Sequence, residues 1–246
     1  MLTIGVLGGM GPAAAADFYQ RLVMTHGAQR DQDHPPCILF SATQIPDRTA
    51  HLLGEGPDPS SALAAAARVL ESAGADLIAI PCNSAHAYLQ VIRAAVAIPV
   101  LDMIAIAVAA VEKQRPGAGL VGLLAASGTV RLGLYDEPLR RAGYAVLKPE
   151  PKIQKQVMEA IRAVKGGGQG TDGRLVNAAV HLVELGAEAL LLGCTEVPLG
   201  LDLSSCPVAA VDANQSLVEA TLGLATGALQ PQDIAHGAGV RERLSP

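Results

Sequence analysis

The sequence has no tryptophan, two phenylalanines and four tyrosines in 246 residues. Such a chain has few flat rings with which to stack bases or grip a sugar, although half of its residues are hydrophobic. Positive charge is short as well. The formal net charge is −5 and no basic stretch is set against it, which excludes nucleic acid as an expected partner, because phosphate backbones are held by clustered Lys and Arg. No run approaches the ~18 consecutive apolar residues that cross a bilayer, so no membrane partner is expected either. The opening MLTIGVLGGMGP enters a strand-like run without a positively charged leader, which predicts no secretory signal and a cytoplasmic location. Cysteine is sparse: Cys37, Cys82, Cys194 and Cys206. None forms a CxxC pair and neither His34 nor His86 is spaced as a ligand with any of them, so free thiols are expected rather than a disulfide framework or a bound metal.

What the chain does have is alternation. Short apolar runs (LTIGVLG, CILFSAT, DLIAIPC, VAIPVLD, AGLVGLLA, YAVLKP, EALLLGC, CPVAAVD) are separated by longer Ala/Leu-rich segments of helical period, among them PAAAADFYQRLVMTHGAQ, NSAHAYLQVIRAAV, MIAIAVAAVEKQ and RLGLYDEPLRRAG. Continuous apolar strands between helices predict a doubly wound α/β protein, its parallel sheet covered on both faces.

The chain also repeats itself. GADLIAIPCNSAH at Gly74 and GAEALLLGCTEVP at Gly186 share a Gly-Ala-acid opening and a Cys eight positions after the Gly, and each is followed by a Pro-Val pair. A weaker echo links IGVLGGMGP with VGLLAASGTV. Two related α/β domains are therefore expected, residues 1–101 and 102–211, with 212–246 packing back on the first. Ligands of open α/β sheets sit beyond the carboxyl ends of the strands. Two facing halves would each present one strand-terminal Cys to a shared cleft.

Cys82 and Cys194 follow buried strands and precede helical segments, where backbone N–H groups and the helix dipole favour thiolate. A single Cys in such a place is ordinarily a small buried residue; two at repeat-equivalent positions beside polar groups point to chemistry. Two facing thiols can form a disulfide couple, or one can remove a proton from carbon while the other delivers one to the opposite face. Reacting atoms sit ~3–3.5 Å apart, so sulfurs flanking one carbon would lie roughly 7 Å from each other. That is too far for the ~2 Å S–S bond without movement. The duplication suits proton exchange, since adding and removing a proton are mirror tasks.

Asn83, Ser84 and Thr195, with nearby backbone N–H groups, can hold an α-carboxylate and the enolate-like charge that grows on it; plain helix capping by Asn83 and Thr195 is the competing explanation. Arg48, in IPDRTAHLL, is expected in a loop, where a guanidinium can fork onto a carboxylate. Lys165 ends a helix before a glycine run, a place where a cation complements the helix dipole. GVLGGMGP is not GxGxxG, and no acidic residue closes the second strand-like run, so the Gly9–Met10 backbone is assigned to the substrate rather than to a nucleotide. In the echo AASGTV, Ser127 and Thr129 take the equivalent edge. Glu196 and His86 stand close enough to Cys194 and Cys82 to tune the thiols, with His86 read chiefly as a packing residue.

GGMGP, IPDR, PCNSAH and GCTE, in this order and spacing, resemble the aspartate/glutamate racemase family, and its aspartate racemase branch in particular. The resemblance covers essentially the whole chain. It implies two pseudo-symmetric α/β domains with the site in the cleft between them, a homodimer, and racemisation of aspartate without a cofactor. It also implies Cys82 and Cys194 as the catalytic acid/base pair, with Arg48 and Lys165 as cations for the distal carboxylate of a dicarboxylic amino acid. The family usually carries Thr where this chain has Ser84. No Lys stands in a Schiff-base setting, in keeping with chemistry free of pyridoxal phosphate. Three alternatives stay open: a broad-specificity or glutamate-preferring racemase, a hydrolase using Cys82 with His86 as base, and a carboxylate-binding protein with no catalysis.

Overall fold

Two all-parallel sheets order the chain, and they repeat one topology. The computed structural model describes residues 1–168 and 173–230. In the first sheet β1 (Ile4–Gly8) lies between β2 (Cys37–Ser41) and β3 (Leu77–Ala79), and Val100 adds a single parallel bridge to Ile78. In the second, β4 (Leu120–Ala125) lies between β5 (Ala145–Leu147) and β6 (Ala189–Gly193), with β7 (Ala210–Asp212) outside β6. Each sheet thus sets its first strand between its second and third, so β3 and β6, which lead to the two Cys motifs, occupy equivalent places. β1 and β6 are buried at every position, as expected of parallel strands covered on both faces. Two runs depart from that expectation. β2 is an edge strand whose Leu39 is exposed. VAIPVLD contributes only the Val100 bridge, because Pro99 offers a carbonyl to Ile78 but has no N–H to extend the ladder.

The connections are helical: α1 (Pro12–His26), α2 (Arg48–Leu53), α3 (Ser60–Ser72), α4 (Leu89–Arg93), α5 (Met103–Gln114), α6 (Ser127–Leu132), α7 (Asp136–Arg141), α8 (Pro151–Lys165), α9 (Arg174–Glu184), α10 (Val197–Gly200) and α11 (Ala213–Thr226). Pro12 begins α1, where its fixed φ suits the first turn. RLGLYDEPLRRAG, expected as one helix, is divided between α6 and α7 by a turn at Gly133, which closes α6 in the left-handed conformation. Asp102 and Asp212 hold repeat-equivalent roles: each accepts from the first backbone N–H groups of its helix, α5 and α11 respectively, the capping arrangement that typically stabilises a helix by about 1 kcal/mol.

α5 and α11 pack on each other between the sheets. One core cluster joins Ile4, Val6 and Leu77 of the first sheet to Val121, Leu123 and Leu191 of the second through Met103, Ile104, Leu217 and Val218. Separate clusters cover the outer face of each sheet. Fully burying a Leu or Ile contributes roughly 1.5–3 kcal/mol, so this shared core holds the halves against each other. α11 also packs on α1, and Leu2 donates to Ala225 O at 2.9 Å. An ion pair of 2.7 Å between Arg21 of α1 and Asp212 closes the same seam. Residues 231–246, the remainder of the segment expected to fold back, lie outside the described residues. Among the described residues no helix is long and apolar enough to cross a membrane.

Candidate active site

Cys82 stands three residues beyond β3, and the chain after it is tighter than expected. Asn83–Tyr88 form a 3-10 helix rather than the first turns of an α-helix. The cause is local. Cys82 O accepts from Ala85 N–H at 3.2 Å and from the His86 ring Nδ1 at 3.0 Å. The ring so occupies the carbonyl that an α-helical i→i+4 bond would use. His86 Nε2 in turn accepts from Met103 N–H at 3.0 Å, which assigns the ring hydrogen to Nδ1. Burial holds His86 below its ordinary value, outweighing the pull of Asp102 in the other direction. With both ring nitrogens bonded to backbone, neither faces the Cys82 thiol, and a Cys82–His86 hydrolase pair has no free base. Cys82 Sγ lies 3.5 Å from Ser84 Oγ, within hydrogen-bonding reach of the hydroxyl.

At the end of β6 the equivalent thiol meets a carboxylate. Cys194 Sγ donates to Glu196 Oε2 at 3.1 Å, and Thr195 Oγ1 donates to the same oxygen at 3.3 Å. Glu196 Oε1 accepts from Gly11 N–H at 3.1 Å, so the GGMGP turn of the first half is tied to the second half at this point. Lys165 Nζ lies 3.9 Å from Oε1. The sequence led us to expect a helix N-terminus favouring thiolate; instead Cys194 is raised well above the usual thiol range. Burial is the larger cause and the Glu196 carboxylate the next, with Lys165 and the Glu196 N–H acting weakly against them. α10 has only four residues and begins after Glu196, too short and too late to offset the carboxylate. Of the other free thiols, Cys37 is pushed up to about 11 by burial in β2.

The expected binding residues fall on elements that converge from both halves. Arg48 is not in a loop: it opens α2, whose Ala50 N–H is capped by Asp47 Oδ1 at 2.8 Å. Its guanidinium is buried and donates to Ile45 O, Pro46 O and Met10 O at 3.0–3.2 Å. A guanidinium carries five N–H donors, which leaves two, and the Nε–H is buried without a partner. Asn83 and Thr195 cap nothing with their side chains. Instead Asn83 Oδ1 accepts the hydroxyl of Tyr135, from the second half, while Asn83 Nδ2 is buried and unpartnered. Thr129 Oγ1 in α6 is likewise buried and unpartnered. Elsewhere among the described residues, the orphaned atoms of Asp136, Gln154 and Asn214 are acceptor oxygens, and the remaining one is the ring Nε2 of His181 in α9. The three in Arg48, Asn83 and Thr129 can all donate, and a set of buried donors suits an anion.

Lys165, at the end of α8, binds this constellation together electrostatically. Burial alone would lower its ammonium, but Glu196, Cys194 and Cys82 hold it above the ordinary lysine range, with Arg48 opposing them. It is 34 % exposed at the side chain, whereas Cys82, Asn83, Thr129, Cys194, Thr195 and Glu196 are all buried. Met10, Arg48, Cys82, Asn83, Ser84, Thr129, Lys165, Cys194 and Thr195 thus share one region. Ser127 does not join them. Its hydroxyl accepts from Gln154 at 3.2 Å and its N–H donates to Met158 Sδ, which ties α6 to α8. Two participants escaped the sequence reading: the Gly11 N–H and Tyr135. Nothing in LGLYDE announces a contact with a residue 52 positions away.

Comparison with known proteins places this geometry in context. The family model described as Asp/Glu/Hydantoin racemase matches residues 7–221. A broad-specificity amino-acid racemase from Bacillus subtilis is 25 % identical over 227 residues, which cover 89 % of this chain and 96 % of that protein. The solved structure of an aspartate racemase from Picrophilus torridus superposes with a TM-score of 0.82 at 29 % identity, covering 92 % of this chain and 95 % of that one. An aspartate racemase homologue from Pyrococcus horikoshii superposes with a TM-score of 0.73 over 92 % of this chain and 100 % of that one; at 23 % identity this is a likeness of fold. The family match runs through both Cys motifs, the Arg48 segment and Lys165, and the chain belongs to the Asp/Glu/Hydantoin racemase family.

Proposed function

We propose that this chain racemises a dicarboxylic amino acid, with aspartate the first candidate, by passing the α-proton between Cys82 and Cys194 without pyridoxal phosphate. The observation that carries the reading is the trio of buried donors without partners, Arg48 Nε, Asn83 Nδ2 and Thr129 Oγ1, on the elements beside the two thiols. Leaving a buried donor unsatisfied costs roughly 1–3 kcal/mol. Three together are tolerated most readily where a ligand supplies acceptors, and a carboxylate has four lone-pair sites to offer. Removing the α-proton moves charge onto the neighbouring carboxylate, so donors fixed in advance around it stabilise the transition state more than the ground state.

The two thiols have different roles in the resting site. Cys194, held protonated beside Glu196, is the proton donor, and Cys82 is the acceptor for the enantiomer bound first; the reverse reaction exchanges the roles. Arg48 brings a buried positive charge whose bonds go only to carbonyls. Lys165 is already within 3.9 Å of Glu196, so Arg48 is the stronger anchor for the distal carboxylate and Lys165 the weaker. On this reading the domain boundaries fall near Leu101 and Val211, with the substrate between the halves.

A second reading, a broad-specificity racemase, draws support from Ser84, a smaller hydroxyl residue than the family's usual Thr, beside Cys82 Sγ. Proton NMR of the purified protein with L-aspartate in D2O separates the readings. Loss of the α-proton signal with accumulation of D-aspartate, abolished in both Cys82→Ser and Cys194→Ser, is expected. Exchange with a panel of other amino acids but not aspartate would transfer the assignment to the second reading. Loss of activity in only one Cys variant would remove the two-thiol mechanism.

A further inference from the structure

We infer that Tyr135 is a positioning residue for Asn83: its hydroxyl sets which end of the Asn83 amide is presented to the substrate carboxylate. The inference rests on the proposal that Asn83 Nδ2 meets that carboxylate. Tyr135 belongs to the second half of the chain and Asn83 to the first, yet the phenol donates to Asn83 Oδ1 across the seam. Once Oδ1 is occupied, Nδ2 has one direction left, and there it is buried and unpartnered.

The phenol itself has little freedom. Tyr135 is fully buried, and its ring lies against Gly193, the residue before Cys194: a Cβ at that glycine would stand 2.9 Å from Tyr135 Cε2. Burial first, then Asp102, Cys194 and Asp212, all hold the hydroxyl well above the ordinary tyrosine range. It stays protonated, and its hydrogen needs an acceptor. An amide can be turned end for end at small steric cost, since its N and O differ little in size. In the turned state Oδ1 would face the substrate carboxylate, acceptor against acceptor. The Tyr135 hydroxyl therefore decides the sign of the dipole offered to the charge that grows during α-proton removal. An interaction that strengthens as the proton leaves is read in kcat more than in KM.

The test is a double-mutant cycle on the full chain with Tyr135→Phe, Asn83→Ala and the pair, read by kcat and KM for L-aspartate and by calorimetric affinity for succinate, an unreactive dicarboxylate. Tyr135→Phe is expected to lower kcat by about ten- to a hundredfold, with a smaller rise in KM and a matching smaller loss of succinate affinity. In the Asn83→Ala background the same change is expected to do nothing further, because its effect passes through the missing amide. If wild type fails to racemise aspartate but succinate affinity shows the same non-additivity, the substrate assignment falls and the positioning role stands. Wild-type behaviour of Tyr135→Phe, losses that simply add, or no succinate binding to wild type would each overturn the inference. Should Tyr135→Phe not fold, Asn83→Asp decides: it keeps an acceptor for Tyr135 and removes the donor, so a folded and active Asn83→Asp would refute the role.

Discussion

Cys194 Sγ donates to Glu196 Oε2 at 3.1 Å, whereas at the repeat-equivalent position Cys82 meets the neutral hydroxyl of Ser84 at 3.5 Å. The duplicated frame puts residue i+2 against each sulfur and then breaks its own symmetry with a charge. A two-base racemisation uses two groups that alternate as acid and base, and in each half-turnover one must hold the proton while the other does not. On the proposed two-thiol mechanism, the carboxylate beside Cys194 is the source of that bias.

Replacing Glu196 by Gln should therefore make Cys194 more acidic. The substitution removes the repulsion between carboxylate and thiolate, and it frees Lys165, which already favours the thiolate. Burial remains, so the midpoint stays above the ordinary thiol range. The measurement is the pH dependence of Cys194 alkylation by iodoacetamide, followed by peptide mass spectrometry in a Cys82→Ser background. A midpoint that stays put or rises would show that Glu196 does not set the Cys194 proton.

Arg48→Lys keeps the charge and loses the fork. A lysine ammonium has three donors at one point, and it cannot serve Ile45 O, Pro46 O and Met10 O as Arg48 does at 3.0–3.2 Å while also reaching a substrate. The expected result is a rise in KM for aspartate of about tenfold or more, the scale of one lost charge-assisted hydrogen bond. For any monocarboxylic amino acid the enzyme also accepts, the rise should be smaller. Equal losses for both substrate classes would separate Arg48 from the distal carboxylate.

His86 makes stability fall on the acid side. Its folded value lies below the ordinary 6.5 because burial disfavours the imidazolium. Between that folded value and 6.5 the unfolded chain binds a proton that the native chain refuses, so the unfolding free energy decreases as pH drops below 6.5 and is unaffected by this group above it. One such group changes stability by up to about 1.4 kcal/mol per pH unit. Urea midpoints at pH 7.5 and 5.5 should separate more for wild type than for His86→Gln, which keeps a donor for Cys82 O but does not titrate. Parallel shifts in the two proteins would exclude His86 as the source.

The sequence carried most of the frame and the residue types of the site, and the reasons are physical. Continuous apolar runs such as DLIAIPC and EALLLGC have one comfortable environment, a strand covered on both faces, and they appear as β3 and β6 with Cys82 and Cys194 just beyond. A repeated pattern also implies repeated topology, and the two sheets have it. What stayed hidden depends on contacts distant in sequence or on competition for a single carbonyl. The α2 helix is six residues long and held by the Asp47 cap, so IPDRTAHLL lacks the period that reveals a longer helix. The 3-10 turn after Cys82 follows from the His86 ring claiming Cys82 O, which no propensity records. Thiol acidity at Cys194 went the other way because the local helix-terminus argument omitted how deeply the sulfur is buried and the carboxylate two residues on.

The crossing of α2 and α6, one from each half, leaves little room for a side chain at Gly128. A Cβ at Gly128 would stand 3.0 Å from Thr49 Cα and 3.2 Å from Leu52 Cδ1. Thr49 follows Arg48 in sequence, and Thr129 follows Gly128, so the two helices bring two of the three orphaned donors to the same seam. Gly128→Ala forces the backbone at Thr49 to give by a few tenths of an ångström, since a Cα cannot swing aside as a side-chain tip can. Overpacking of this kind costs typically 1–3 kcal/mol, which for a chain of this size lowers Tm by roughly 2–4 °C per kcal/mol. Catalysis should suffer more than stability, because a misplacement of about 1 Å at a reacting centre can cost a hundredfold. We expect Gly128→Ala to lower kcat/KM for aspartate at least tenfold while the protein remains folded at 25 °C. Gly54→Ala in the same region serves as control: its site is open, with nothing within 4 Å of the added Cβ, and its strain at φ +82 is confined to the end of α2. A Gly128→Ala protein with a lowered Tm and unchanged kcat/KM would mean that the α2–α6 crossing holds the halves together without setting where Arg48 and Thr129 point.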